Sequence, residues 1–548
     1  MILPVERLLL RLGAWPWILL PLALAWATAV PCGYTLDDLT LVQRDPRVLE
    51  LRWGALFTTP LWPIGGGGGL YRPLLLLSFA LEQRLHGSVH LMHLTNVLLH
   101  LGVCLLLRPV LSTLLDPRGT AAAALLFAVH PLHVEAVTGL VGRAELLALL
   151  GGLLAWRCLL PVPGPPSWPR AGLGGLAFLG ALLCKESALT LIPVIALHAC
   201  LLARRAGAPL RPALSRLLPL LGALAAVIAL RLLLLGPGGA APTQVPASLN
   251  PLAASPLGER LATGLVLLTR YAWLCVYPVR LVADYSFAAI PVEPGLLAWR
   301  PALALLGWSL AFLGAARLAR RGEPVPLLAL TWFVLLLGSV LQVVPIGAMF
   351  AERFAYAPSL AACMLAGWVL QRARPEGPAP LALLVVALAC AGRTALRSLD
   401  FRDNTRLFAV TARDQPRSAQ AQLYRAFDLL ERGQLQAAVP HLAAAREIDP
   451  RQGWAALQLG RCLRRLDRPG EAAPHLEAAR ALEPHDPRPP LELALALAAS
   501  RAAPDRQRAL IEEALRLGAA PADRRAAADE LRRVGAHEAL ARALEPAE

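Results

Sequence analysis

Apolar stretches of about 20 residues recur from the N-terminus to about Leu399, and short polar loops separate them. Each stretch has the length and composition of a helix that crosses a bilayer. Arg7 and Arg11 precede the first apolar core and place the N-terminus in the cytoplasm by the positive-inside rule. With the segment 261–279 interpreted as re-entrant, the pattern predicts about eleven spans and an external C-terminal domain. A twelfth crossing would instead put that domain in the cytoplasm.

A different periodicity begins beyond residue 400, where Arg, Ala, Glu and Asp replace the apolar stretches. The segment Arg446–Pro450 matches Arg480–Pro484 at an offset of 34 residues. A 34-residue period of paired helices that ends in proline is the pattern of tetratricopeptide repeats. The chain is therefore predicted to be all-α, with a polytopic helical bundle over residues 1–400. An α-solenoid of about three repeats over residues 401–548 follows, and its concave surface is a candidate for peptide binding.

Composition agrees with a membrane protein. Of the 548 residues, 56% are hydrophobic and only 17% are charged. The net charge of +15 comes largely from arginines in the short loops that the span count places in the cytoplasm. The positive-inside rule therefore explains the charge, and nucleic acid is not a predicted partner. The nine cysteines show no metal-ligand spacing, and no metal site is predicted from them.

Ionisable residues concentrate at the predicted external ends of the spans. Such residues are costly at membrane depth and are usually functional, although helix capping and interface anchoring are the alternative for the carboxylates. Lys185 stands out because it is the single lysine of the chain. The residues that share this face are Asp37, Asp38, His133, Glu135, Arg143, Lys185, Glu186, Glu352 and Arg353.

A polar stripe marks the second span. His93, Asn96 and His100 are spaced i, i+3 and i+7 and therefore share one face of a helix. Polar side chains inside a bilayer face the bundle interior, because lipid cannot satisfy them. Two interpretations stay open at this point: hydrogen bonds between helices, or the lining of a substrate cavity.

The chemistry of this external face points to group transfer. A carboxylate at the interface suits a general base that takes a proton from an acceptor hydroxyl. Arginine and lysine nearby suit a phosphate. The sequence contains no nucleotide-binding loop of the Walker type, which makes an energy-coupled transporter the weaker hypothesis.

A set of short motifs, in order along nearly the whole chain, resembles a known family. These motifs are similar to those of the transmembrane and tetratricopeptide-containing protein O-mannosyltransferases and their bacterial relatives. They are Tyr34-x-x-Asp37-Asp38, Tyr71-Arg72-Pro73-Leu, His93-x-x-Asn96-x-x-x-His100, His130-Pro-x-His133-x-Glu135, Gly142-Arg-Ala-Glu145, Cys184-Lys185-Glu186, Asp284-Tyr285-Ser286 and Glu352-Arg353-Phe-x-Tyr356-x-Pro358.

The resemblance implies a GT-C glycosyltransferase fold and an inverting transfer of a sugar, mannose in this family, from a polyprenyl- or dolichyl-phosphate donor. It implies that Asp37 or Asp38 is the base and that Glu135 assists it. Arg143, Lys185 and Arg353 would hold the donor phosphate. The cavity would be lined by Arg72, His93, Asn96, His100, His130, His133, Glu186, Tyr285, Glu352 and Tyr356. No cofactor other than the lipid-linked donor is implied, although the carboxylates could bind a divalent metal.

The resemblance also implies where the protein works and what it meets. The repeats would present a protein or peptide acceptor, although about three repeats are fewer than the animal members carry. The protein would be a multi-pass protein of a bacterial inner membrane, with its site and repeats in the periplasm, or of the endoplasmic reticulum with both in the lumen. The alternative hypothesis is a non-catalytic scaffold or assembly factor whose repeats recruit a partner, and transport without sugar transfer is a third.

Overall fold

The computed structural model describes residues 15–62, 69–159, 167–236, 245, 250–286, 289–535 and 538–545. These residues form helices and loops, and no β-strand occurs among them. The all-α prediction is therefore confirmed. The chain divides into two compact units. The first comprises Met1–Ala283 and Pro291–Leu407, and the second comprises Asp284–Ile290 and Phe408–Glu548.

The first unit is a bundle of helices of very different lengths. Its helices are α1 (Trp15–Trp26), α2 (Pro46–Leu49), α3 (Trp53–Thr58), α4 (Pro73–Leu85), α5 (Val89–Leu111), α6 (Pro117–Val129), α7 (Val134–Val137), α8 (Arg143–Leu159), α9 (Trp168–Cys184), α10 (Leu191–Arg205), α11 (Leu210–Ser215), α12 (Leu218–Leu235), α13 (Leu257–Val276), α14 (Trp299–Arg320), α15 (Val325–Leu337), α16 (Leu360–Leu370) and α17 (Ala379–Ser398). Three short 3₁₀ turns carry predicted site residues: Pro131–His133, Glu186–Thr190 and Glu352–Ala355.

Length and hydropathy identify five helical segments of the described chain that could cross a bilayer, or six if a bent pair counts as one span. The five are Val89–Leu111, Glu186–Arg205, Leu210–Leu235, Trp299–Arg320 and Ala379–Phe401, and the bent pair joins Pro117–Val129 to Pro131–Val137. Three shorter apolar helices accompany them. The predicted number of eleven spans is not reached by these criteria and stays a prediction, as does the re-entrant path of the segment that forms α13.

Close packing inside the bundle depends on small residues where two helices cross. At the crossing of α6 and α16, a Cβ added to Gly119 would lie 2.8 Å from the Gly367 carbonyl oxygen. Helices associate in a membrane largely through such close packing of their backbones, because the hydrophobic effect does not drive helix association in lipid. This crossing holds together the helices next to two of the site segments, Pro131–His133 and Glu352–Ala355.

The second unit is a row of paired helices. Helix α18 (Asn404–Asp414) leads into it, and it contains α19 (Ala419–Glu431), α20 (Leu435–Ile448), α21 (Gly453–Arg465), α22 (Pro469–Leu482), α23 (Arg488–Ala499), α24 (Pro504–Arg516), α25 (Pro521–Arg533) and α26 (Glu538–Leu544). Ala438, Leu442 and Ala445 of α20 recur 34 residues later as Ala472, Leu476 and Ala479 of α22, and all six are buried. The repeat in the sequence is thus a repeat in the core, as expected of a solenoid whose units bury their faces against each other.

Candidate active site

The two adjacent carboxylates in the loop after α1, Asp37 and Asp38, differ in burial and in hydrogen bonding. Asp38 is buried, and its Oδ1 accepts a hydrogen bond from the Val141 amide at 2.9 Å. Its Oδ2 accepts from the amides of Thr35 at 3.1 Å and Leu140 at 3.4 Å. Burial raises the pKa of Asp38 to about 6, although these backbone N–H groups oppose the rise. Asp38 therefore fastens the loop after α1 to the loop before α8, and both of its oxygens are engaged.

Asp37 is exposed to solvent, whereas Asp38 is buried. No hydrogen bond or ion pair joins Asp37 to another residue in the described part of the chain. The surrounding protein nevertheless raises the pKa of Asp37 by desolvation. The Arg353 cation opposes that rise, the Glu135 anion adds to it, and the Arg72 cation opposes it more weakly. The neighbourhood formed by the exposed Asp37 carboxylate and these three charges is called the cleft below.

Glu135 and Arg353 form the first ion pair of this cleft. Glu135 is buried at the start of α7, where the chain bends after α6. Its Oε2 accepts from the Arg353 amide at 2.9 Å, and its Oε1 pairs with the Arg353 guanidinium. Two bonds to one residue fix the turn Glu352–Ala355 against α7, and Arg353 keeps a third of its side chain exposed. The guanidinium can therefore meet a ligand while Glu135 holds it.

Two further ion pairs lie in the same electrostatic neighbourhood. Arg72, just before α4, forms a two-pronged pair with Glu186, with Nε–Oε2 and Nη2–Oε1 distances of 3.0 and 2.5 Å. Lys185, at the end of α9, pairs with Glu145 of α8, and both are buried. Each cation of the cleft thus has one carboxylate partner, whereas Asp37 is an extra negative charge with none among the described residues.

Phe354 connects two of these pairs. Its ring centroid lies 5.2 Å from Lys185 Nζ and 5.3 Å from Arg353 Cζ, distances that allow cation–π attraction. A small, partly open cavity of about 40 Å³ lies beside the Lys185–Glu145 pair. Its other walls are mostly apolar. They come from α8, the turn Glu186–Thr190, α10, the end of α15 with the residues after it, and the segment that follows the turn with Phe354: Leu149, Ala188, Leu191, Leu336, Val340, Ala357 and Pro358.

Arg143 lies in a closed network rather than in the cleft. It is 1% exposed, and its guanidinium pairs with Glu82 at 2.8 Å. It also donates to Asn96 Oδ1 at 2.7 Å and stacks over Phe79 at 4.1 Å. Asn96 in turn donates to the carbonyl of Val137 at 3.2 Å. Arg143 and Asn96 therefore join α4, α5 and α8, and both are turned away from any open surface.

The four predicted histidines are buried and bond to other segments of the chain. His93 Nε2 donates to the Gly33 carbonyl at 3.2 Å, and His130 Nε2 donates to the Cys275 carbonyl at 3.0 Å. His100 donates to the Ala128 carbonyl at 3.1 Å, and its Nδ1 accepts from the Tyr356 hydroxyl at 2.7 Å. His133 Nε2 donates to Ser359 at 2.7 Å. For His93, Asn96 and His100 these bonds agree with the structural interpretation of the stripe, and the lining of a substrate cavity stays a prediction.

The three remaining predicted residues are buried. Glu352 is 1% exposed and accepts from the Val282 amide at 2.6 Å, which ties its turn to the loop after α13. Tyr356 packs against the histidines through its bond to His100. Tyr285 lies in the segment Asp284–Ile290, which belongs to the second compact unit.

Two residues of the cleft were not among the predicted site residues. Glu145 is the partner of Lys185, and Phe354 lies near two cations. Both stand inside the quoted motifs, so the signal for them was present: Glu145 is another acidic residue at a span end, and Phe354 follows Arg353 directly. In the described ranges, no group of three or more His, Cys, Asp or Glu side chains could hold a metal ion.

Comparison with known proteins agrees with the architecture. Residues 429–488 match the model of a tetratricopeptide repeat family. The chain is 29% identical over 477 residues to the mouse protein named protein O-mannosyl-transferase TMTC3, in a match that covers 80% of this chain and 52% of that protein. A shorter match, 44% identical over 140 residues, covers 25% of this chain and 16% of the Drosophila melanogaster protein O-mannosyl-transferase Tmtc1.

A solved structure, "MamA 41-end from Desulfovibrio magneticus RS-1", is 19% identical in a match that covers 29% of this chain and 88% of its own. Its TM-score of 0.23 is too low to carry a structural argument. Against the matched TMTC3 protein, this chain spans about half of the relative's length.

The apolar helices agree with a multi-pass membrane protein. The family resemblance read from the motifs is confirmed. Over four fifths of its length this chain is a homologue of the proteins named protein O-mannosyl-transferase TMTC, and it carries a tetratricopeptide repeat domain.

Proposed function

We propose that this protein is a membrane glycosyltransferase that moves a sugar, mannose by analogy with the names of its relatives, from a polyprenyl- or dolichyl-phosphate donor to a hydroxyl of a protein acceptor. The reaction takes place at the external face of the membrane, which is periplasmic in a bacterium and lumenal in the endoplasmic reticulum. The observation that carries the proposal is the state of Asp37, an accessible carboxylate with no hydrogen-bond or ion-pair partner among the described residues.

Asp37 acts as the general base. It takes the proton of the acceptor hydroxyl while the hydroxyl oxygen forms a bond to the anomeric carbon of the sugar. The bond from that carbon to the phosphate oxygen breaks on the opposite side, so the configuration inverts and the lipid phosphate leaves. Asp38 and Glu135 are positioning residues: Asp38 fixes the loop through three backbone amides, and Glu135 orients Arg353.

The donor phosphate is held by Arg353, Lys185 and Arg72. Arg353 and Arg72 each keep part of their side chain accessible, and Lys185 lies beside a cavity with mostly apolar walls. A cation next to apolar side chains suits a phosphate attached to an isoprenoid chain. Arg143 is reassigned to the support of α4, α5 and α8, because its guanidinium is already occupied. The proposal requires no metal.

The repeats recruit the protein acceptor. Tetratricopeptide arrays offer extended surfaces to peptides, and α19 and α21 carry the half-exposed aromatic residues Tyr424 and Trp454. Phe427, also on α19, is 44% exposed.

A direct assay tests the proposal. The purified protein in lipid is mixed with polyprenyl-phosphate mannose and an extract of external proteins from its own cell, and mass spectrometry follows the proteins. We expect a gain of one hexose on Ser or Thr. An intact, folded protein that transfers no hexose from this donor or from other lipid-linked sugars would contradict the proposal.

The pH dependence of transfer should reflect the charges around Asp37. A base works only when ionised, so the raised pKa of Asp37 predicts that the rate falls with decreasing pH already above the usual range of an aspartate. Glu135→Gln removes an anion that raises the pKa of Asp37. It also releases the Arg353 cation, which lowers that pKa. We therefore expect the acid limb of the rate profile to move to lower pH in Glu135→Gln, measured as initial rate against pH. An unchanged acid limb would show that Asp37 does not titrate in this profile.

A further inference from the structure

The loop that carries Asp37 has an unusual backbone. Leu36, the residue before Asp37, has a φ of +47°. A non-glycine residue rarely adopts this left-handed conformation and keeps it only where the surrounding structure enforces it. Within the loop, the amides of Asp38 and Leu39 donate to the carbonyls of Thr35 and Leu36 at 2.9 and 3.3 Å, whereas the amide of Leu36 has its partner elsewhere. Leu36 is therefore held from outside the loop.

Asn404 supplies that support from 368 positions further along the chain. Its Oδ1 accepts the hydrogen bond of the Leu36 amide at 2.9 Å. The first turn of α18 is capped by its neighbour instead, because Asp403 Oδ1 accepts from the Arg406 amide at 2.9 Å. The Asn404 amide group is thus available to the loop, and it lies in the same compact unit as Asp37.

Two residues shortly before Asn404, Arg402 and Ser398, form hydrogen bonds to the same loop. The Gly33 amide donates to the Arg402 carbonyl at 2.9 Å, and the Cys32 thiol donates to the Ser398 carbonyl at 3.4 Å. These bonds anchor the backbone up to Gly33. The contact with Asn404 comes later in the loop, at the residue that sets the direction of Asp37, and is therefore placed to orient the carboxylate rather than to attach the loop.

We infer that Asn404 is a positioning residue of the transfer reaction: it holds the left-handed backbone of Leu36 and so directs Asp37 into the cleft. The inference rests on the proposed role of Asp37 as the base. Without the Asn404 oxygen, Leu36 can relax to an ordinary conformation, and the Asp37 carboxylate moves while the bonds of Asp38 to the amides of Leu140 and Val141 remain.

The test compares Asn404→Ala with Asn404→Asp and Asp403→Ala in the full-length protein. Asn404→Ala removes the acceptor, Asn404→Asp keeps an acceptor oxygen at the same reach, and Asp403→Ala weakens the start of the same helix without touching Leu36. Hydrogen exchange of peptides covering residues 33–41 reports the backbone directly. We expect faster exchange only in Asn404→Ala. Equal exchange in all variants, or equally fast exchange in Asp403→Ala, would overturn the inference.

Kinetics separate orientation from folding. Because misplacement of a reacting group by about 1 Å can cost about 100-fold in rate, we expect a kcat loss of that order in Asn404→Ala. KM for the donor and the melting temperature should stay those of the wild type. Asp37→Asn in the same assay keeps the two proposals apart. If Asp37→Asn is inactive and Asn404→Ala has wild-type kcat, the positioning role of Asn404 fails alone. If Asp37→Asn is fully active, the proposed base fails, and exchange still decides whether Asn404 holds Leu36.

Discussion

Asp37→Asn is expected to lower kcat for sugar transfer by about 10²–10⁴-fold, the usual contribution of a general base. The amide cannot take the acceptor proton, yet it has the shape of the carboxylate it replaces. Asp37 bonds to no other described residue, so no native contact is lost and the melting temperature should not fall. Rates are measured with donor and acceptor in excess, and thermal melting is followed in the same lipid.

Asp38→Asn is the matched comparison, because it makes the same chemical change one residue later. The substitution removes one of the two acceptor oxygens, and an NH₂ group then faces a backbone N–H of Thr35, Leu140 or Val141. An unpaired buried N–H costs about 1–3 kcal/mol, so this variant should melt earlier. Glu50→Gln, an exposed change in the segment between α1 and α4, is the control for the loss of a carboxylate charge. If Asp37→Asn is active and Asp38→Asn is folded but inactive, the two assignments must be exchanged.

The sequence could not distinguish Asp37 from Asp38, and the reason is physical. Adjacent residues in a turn differ only in direction, and that direction depends on amides of Leu140 and Val141 about 100 positions later. Arg143 was equally ambiguous. A guanidinium at a span end can face a ligand or be enclosed by partners, and the partners here come from two other helices.

Features with a local signature were predictable. The 34-residue period predicted the repeats because buried Ala and Leu recur at the same spacing. The i, i+3, i+7 spacing predicted that His93, Asn96 and His100 face the bundle interior, where they lie. Their partners are remote in sequence, so the spacing could not say whether the stripe lined a cavity or joined helices. The sequence around Asn404 gave no indication of the inferred positioning role, because that role depends on a hydrogen bond to Leu36, 368 positions earlier.

Unlike Asp37, Lys185 has a buried ion-pair partner. Its substitution should therefore lower both the stability of the fold and the transfer activity. Lys185→Met leaves Glu145 buried without its partner. Removing one member of a buried ion pair costs about 3–5 kcal/mol, so the single variant should melt much earlier. Its loss of activity would then say nothing about the donor.

The double variant Lys185→Met with Glu145→Leu removes this ambiguity. Replacing both members of a buried pair with apolar residues of similar size is often neutral or stabilising, so the melting temperature should return to the wild-type value or above. The donor phosphate still lacks its cation. A hydrogen bond to a charged group contributes about 1.5–3 kcal/mol, which corresponds to a loss of about 10- to 100-fold in kcat/KM for the donor.

The exposed pair Arg372–Glu323 offers a matched control. Both partners keep about a third or more of their side chains accessible, and a surface pair of this kind contributes about 0–1 kcal/mol. Arg372→Met with Glu323→Leu should therefore change neither melting nor transfer. Recovery of full donor kcat/KM in the stable Lys185→Met, Glu145→Leu protein would make the single lysine of this chain a structural residue and leave the phosphate to Arg353 and Arg72. Recovered melting with the deficit still present would support the assignment of the phosphate to Lys185, the cation that the stable double variant lacks.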